Sequence, residues 1–145
     1  MSEDPEAARR KARGLRAHLA GAVAEAQVAR HYAAQGFVCR ETRWRGAYGE
    51  IDLVLEGPLP EGGGCGGASD GACLVFVEVK RARSFAAAAP RLGAAQTRRI
   101  GRAALDYVAR HPECQQKRLR FDLALVDGTG EIRLVADAFR FDGWL

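Results

Sequence analysis

GEIDLVLE (Gly49–Glu56) and ACLVFVEVKRAR (Ala72–Arg83) decide how this chain is read. Both have the apolar density of buried strands, and both carry ionisable residues inside the pattern. Side chains of a strand alternate between its two faces. In the first stretch, Ile51, Leu53 and Leu55 fall on one face and Glu50, Asp52 and Val54 on the other. In the second, Val75, Val77 and Val79 oppose Phe76, Glu78 and Lys80. Glu78 and Lys80 then stand about 6.6 Å apart along one side of a strand. If the two strands pair, Asp52 and Glu78 converge with Lys80 beside them. Two carboxylates at one point attract a hard divalent cation such as Mg²⁺. A lysine next to that cation can orient or deprotonate an attacking water. Asp, then Glu-x-Lys, on adjacent strands is thus a compact arrangement for phosphodiester cleavage.

A lone Glu-x-Lys in a strand is more often a solvated polar face or a surface ion pair. Two features argue otherwise here. Glu78 shares its face with Phe76, and the run Leu74–Val79 is almost continuously apolar, which indicates burial on both sides. Buried Glu and Lys are costly unless they are paired or metal-bound.

The surrounding pattern predicts an α/β order. Residues 1–17 read as a charged, Ala-rich N-terminal arm, either frayed or helical, and 18–145 as a single domain. A helix is expected over Ala17–Ala34, stopped by Gly36. Strands follow over Phe37–Arg45, Gly49–Glu56 and Ala72–Arg83, the first two joined as a hairpin. A second helix over Leu92–Arg110 precedes strands at Arg118–Asp127 and Glu131–Phe139, joined by the turn Gly128-Thr129-Gly130. The Gly-rich segment Gly57–Gly71 lacks the Gly-Lys-Ser/Thr and the following helix of a phosphate-binding loop, so it reads as a connector. On the first helix, Glu25 shares a stripe with Val28, Ala29 and Tyr32. It is either an edge residue reaching solvent or a third carboxylate packed toward Asp52 and Glu78.

With 145 residues, 48% hydrophobic and 28% charged, the chain suits one ordinary globular domain. Its net charge of +4 leans weakly toward a polyanionic partner. It contains no apolar run of membrane-spanning length and no secretory signal at its N-terminus, so a cytoplasmic protein without membrane contact is expected. Cys39, Cys65, Cys73 and Cys114 form no CxxC pair and have no His18, His31 or His111 at zinc-site spacing, so free thiols are expected.

Taken together, AEAQVARHYAAQGF, WRGAYGEIDLVLE, LVFVEVKRAR and RFDLALV resemble the YraN-like family of small bacterial proteins. That family is related to Holliday-junction resolvases and to the restriction-endonuclease-like, or PD-(D/E)XK, nucleases. The match spans about Gly21 to Val126. The resemblance implies a mixed central sheet of about five strands flanked by helices. It also implies hydrolysis of phosphodiester bonds in DNA, branched or structured DNA included, and a place in repair or recombination. The alternative is a catalytically inactive nucleic-acid-binding module or adaptor that kept the fold. On the nuclease pattern, Asp52, Glu78 and the Val79 carbonyl hold Mg²⁺ or Mn²⁺, Lys80 positions the water, and Glu25 is a supporting acid. The chain departs from the family in having Arg43 before Trp44-Arg45, a long Gly57–Gly71 insertion, and Gln96 where a lysine commonly opens the second helix.

The remaining cations suit a phosphate-binding surface: Arg43 and Arg45 before the second strand, Arg81 and Arg83 after the third, and Arg91, Arg98, Arg99 and Arg102, with Gln96, about the second helix. Arginine forks onto phosphate without reading sequence. No zinc finger, helix-turn-helix or aromatic RNA-binding sheet is present, so recognition by DNA structure is expected rather than by sequence. A homodimer would suit a four-way junction.

Overall fold

The computed structural model describes residues 4–58, 72–85 and 92–140, the side chains of residues 17 and 18 apart. In order these form α1 (Pro5–Ala33), β1 (Val38–Gly46), β2 (Gly49–Pro58), β3 (Ala72–Arg81), α2 (Ala94–Arg110), a 3₁₀ turn (Pro112–Cys114), β4 (Arg118–Val126) and β5 (Ile132–Val135). One sheet contains all five strands in the order β1-β2-β3-β4-β5. Neighbours are antiparallel except β3 and β4, which run parallel, with α2 in the crossover between them. This is the expected mixed sheet flanked by helices. Most of the Gly-rich segment (59–71, with Cys65) and Arg91 lie outside the described residues. Cys39, Cys73 and Cys114 are free thiols.

α1 starts at Pro5, so the N-terminal arm takes its helical alternative and is continuous with the helix expected from Ala17. Asp4 caps it by accepting the Glu6 N–H at 3.1 Å, and proline occupies the first helical position. Alanine, arginine and lysine, all strong helix formers, carry it onward without any core beneath. The buried stripe begins only at Ala24 and continues through Val28 and Tyr32.

The sheet has an apolar layer on each face. Under α1, Leu53, Leu55, Val75, Val77, Ala124 and Val126 pack against Ala24, Val28 and Tyr32. Under α2, Ile51, Val54, Leu74, Phe76 and Phe121 pack against Ile100, Ala103, Ala104 and Tyr107. Leu74 to Val77 are buried on both sides, as their unbroken apolar run requires.

One face assignment is corrected. Ile51 lies on the α2 side with Val54, not with Leu53 and Leu55. The break coincides with Arg43 in β1, whose φ of 51° is left-handed. Arg43 sits between Thr42, paired with Leu53, and Trp44, paired with Ile51. A left-handed residue interrupts the pleat, and both Trp44 and Ile51 turn toward α2. Trp44 meets Tyr107 there edge to face, with ring centroids 5.2 Å apart. β5 is also shorter than expected, because the chain turns at Ala136-Asp137, where Asp137 has φ 52°.

Candidate active site

The pairing of β2 with β3 runs from Pro58↔Ala72 to Leu53↔Val77 and stops. Beyond that point β2 continues beside β1 alone, to Gly46↔Gly49, while β3 continues beside β4 alone, to Arg81↔Val126. The sheet forks, and Asp52 and Glu78 stand at the fork, one on each prong. Asp52 Oδ2 accepts the Val79 N–H at 2.8 Å. The side chain thereby satisfies an amide on the β3 edge that has lost its strand neighbour.

Asp52 and Glu78 hydrogen-bond each other. Burial pushes the Glu78 carboxyl up to about 7, and the Asp52 charge adds to this against the opposing Arg99 and Gln96. Asp52 is also raised, first by burial and then by the charges of Glu25 and Glu50, with the Val79 amide working the other way. The pair thus retains a proton near neutral pH, as two close carboxylates in a low-dielectric site must.

α2 supports this arrangement from one side. Gln96 Nε2 donates to Glu78 Oε1 at 3.0 Å. Arg99 Nη2 lies 4.0 Å from Glu78 Oε2, and its Nη1 donates to the Glu50 carbonyl at 2.9 Å. Lys80, half-buried, follows Phe76 and Glu78 on the α2 side of β3, and no hydrogen bond or ion pair holds its ammonium among the described residues. Val79 turns its side chain into the layer under α1.

Glu25 approaches from α1 and is only 13% exposed, but Arg43 Nε donates to its Oε2 at 2.7 Å. It is near enough for its charge to raise Asp52, yet it is not gathered with the pair. Among the described residues no cluster of three or more His, Cys, Asp or Glu side chains is placed to hold a metal ion. What the fork brings together is therefore two carboxylates, a lysine and a glutamine, with a neutralised third acid behind them. Of the expected phosphate-binding cations, Arg99 is at the site, Arg43 is on Glu25, and exposed Arg45 is 3.3 Å from half-buried Glu50. Arg81, Arg83, Arg98 and Arg102 are exposed at the end of β3 and along α2.

One acid went unremarked in the sequence. Asp122 in β4 is 1% exposed. It accepts from the Tyr32 hydroxyl at 2.7 Å, from Arg120 Nε and Nη2 at 2.9 and 2.7 Å, and from the Asp137 N–H at 2.9 Å. Burial, followed by the Asp122 charge, pushes the Tyr32 phenol far above its ordinary range. Every oxygen of this carboxylate is engaged, so it braces α1, β4 and the turn after β5. The signal was an aspartate inside the apolar run FDLALV with an arginine two residues earlier on the same face.

The model of an uncharacterised protein family, UPF0102, matches residues 24–126. The chain belongs to the UPF0102 family. A UPF0102 protein of Ruegeria pomeroyi is 46% identical over 127 residues, covering 88% of this chain and 93% of the relative. One from Dinoroseobacter shibae is 42% identical over 133 residues (92% and 90%), and one from Roseobacter denitrificans 38% over 138 residues (95% and 97%). The UPF0102 match spans α1 from Ala24 through the end of β4, which includes Glu25, Asp52, Glu78, Lys80 and Asp122. No helix among the described residues is long and apolar enough to cross a membrane.

Proposed function

We propose that this chain is a metal-dependent nuclease with a restriction-endonuclease-like site, acting in the cytoplasm on the phosphodiester backbone of branched or otherwise structured DNA. The observation that carries this reading is the buried Asp52–Glu78 pair at the fork, still holding a proton near neutral pH, with Lys80, whose ammonium has no partner among the described residues, one strand repeat away. A pair of hard oxygen donors with surplus negative charge suits Mg²⁺ or Mn²⁺, whose binding displaces that proton. Asp52, Glu78 and the Val79 carbonyl would hold the cation, and Glu25 would act from behind as a supporting acid. Such a cation supplies Lewis-acid charge at the scissile phosphate.

The protein's own groups do the rest. Lys80 holds and orients the attacking water. Gln96 fixes the Glu78 carboxylate, and Arg99 balances charge beside it. Arg45, Arg81, Arg83, Arg98 and Arg102 contact phosphates without reading bases, and Arg43 holds Glu25 in place.

Two observations favour a second reading, a DNA-binding module without turnover: Arg43 already neutralises Glu25, and Gln96 contributes no charge. Cleavage assays on four-way, flapped and linear DNA with Mg²⁺ or Mn²⁺ separate the two. The nuclease reading predicts nicking by the wild type and a loss of about 100-fold or more in Lys80→Ala and Glu78→Ala, with DNA binding retained. Binding without cleavage by the wild type would establish the second reading.

A further inference from the structure

α1 runs for 29 residues, about 43 Å, yet among the described side chains the buried ones begin at Ala24. The opposite side of the helix carries an apolar seam of its own. Ala8, Ala12, Leu15, Leu19, Ala22 and Ala26 follow one another at spacings of four, three, four, three and four. At about 100° per residue, the centre of this seam lies across the helix from the Ala24–Val28–Tyr32 stripe. From Ala12 onward every member is exposed, Leu15 at 59% and Leu19 at 54%, and neighbouring Val23 is exposed at 57%.

A sustained 3.5-residue repeat is what a helix shows when it packs along a second helix. A helix lying on a membrane surface has a broad apolar face instead. This seam is narrow, with Arg9, Lys11 and Arg16 at its borders. The charges also select the partner's direction. Arg9, Arg10, Lys11, Arg13 and Arg16 crowd the first half, whereas residues 17–29 contain no lysine or arginine and include Glu25. Parallel pairing of two such helices would set Lys11 beside Arg16 of the second copy on both flanks of the seam. Antiparallel pairing lays each cationic half along residues 17–29, which carry no lysine or arginine, and places Leu15 against Leu19 of the second copy.

We propose that two copies of this chain associate through this seam of α1, antiparallel about a two-fold axis. The inference stands independently of the nuclease reading. In that register the Glu25 residues of the two copies lie about 24 Å apart along the seam.

Sedimentation equilibrium of the full chain, with no DNA present, tests it. The wild type is expected to dimerise. Leu15→Glu and Leu19→Glu should each weaken self-association by about 100-fold while circular dichroism shows an intact fold. Val38→Glu, which alters another exposed apolar side chain (67%) on β1 rather than on α1, should leave the dimer in place. Lys11→Glu should leave the dimer unchanged or weaker; a tighter dimer would mean parallel helices and overturn the orientation. A wild type that stays monomeric, or a dimer indifferent to both leucine substitutions, overturns the proposal.

Discussion

Glu78→Gln is expected to stabilise the metal-free protein at pH 8, by on the order of 3 kcal/mol. The Glu78 carboxyl titrates near 7 in the fold against an ordinary value of 4.5, chiefly because it is buried and secondly because Asp52 is charged beside it. Between those two pH values the folded state binds more protons than the unfolded chain. Stability therefore falls as pH rises through this window and reaches its low plateau above about 7. Asp52, also raised, acts in the same direction. Glutamine removes the titrating group while keeping a polar side chain that can donate to Asp52. Urea unfolding between pH 4 and 8, without divalent metal, should show a downward slope for the wild type and a much flatter curve for Glu78→Gln. A wild type that gains stability across this range would refute the buried-pair account. A costly, strained pair is reasonable only where a ligand relieves the strain, so excess Mn²⁺ should erase the advantage of the variant.

Asp122→Ala should be damaging instead, costing about 3–5 kcal/mol. The substitution strips partners from Arg120, whose side chain is only 16% exposed, and from the buried Tyr32 hydroxyl, and it releases the Asp137 amide. Two of these groups are polar side chains left in an apolar layer without compensation. Asp122→Asn keeps the shape and one acceptor and should be milder. Equilibrium unfolding by circular dichroism checks both; a loss below about 1 kcal/mol for the alanine variant would show that the network contributes little to stability.

The strands were legible because burial on two faces leaves a distinctive mark. The unbroken run Leu74–Val77 could belong only to the middle of a covered sheet, and the ionisable residues beside it marked the candidate site. Gln96 was singled out by the family resemblance, as standing where a lysine commonly opens the second helix, and it precedes Ile100 by one turn on the buried stripe. Three features were not. The start of α1 rests on a cap and on intrinsic propensity rather than on an apolar stripe, so periodicity located only the part from Ala17 and left the arm open between frayed and helical. Ile51 obeys a left-handed residue on the neighbouring strand, and no pattern within β2 could reveal that. Glu25 lies where its stripe predicts, but its pairing with Arg43 depends on a contact between elements that only the fold brings together. Asp122 could have been found by the logic applied to Asp52, because an acid within an apolar run requires partners.

The most direct test of the forked carboxylate pair is calorimetric titration of Mn²⁺ into the wild type and Asp52→Asn at pH 7, in two buffers of different ionisation enthalpy. The wild type is predicted to bind saturably and to release protons on binding, because the cation replaces the proton held between Asp52 and Glu78. Asp52→Asn should lose both the binding and the proton release. Absence of binding by the wild type, or equal binding by the variant, would contradict the site.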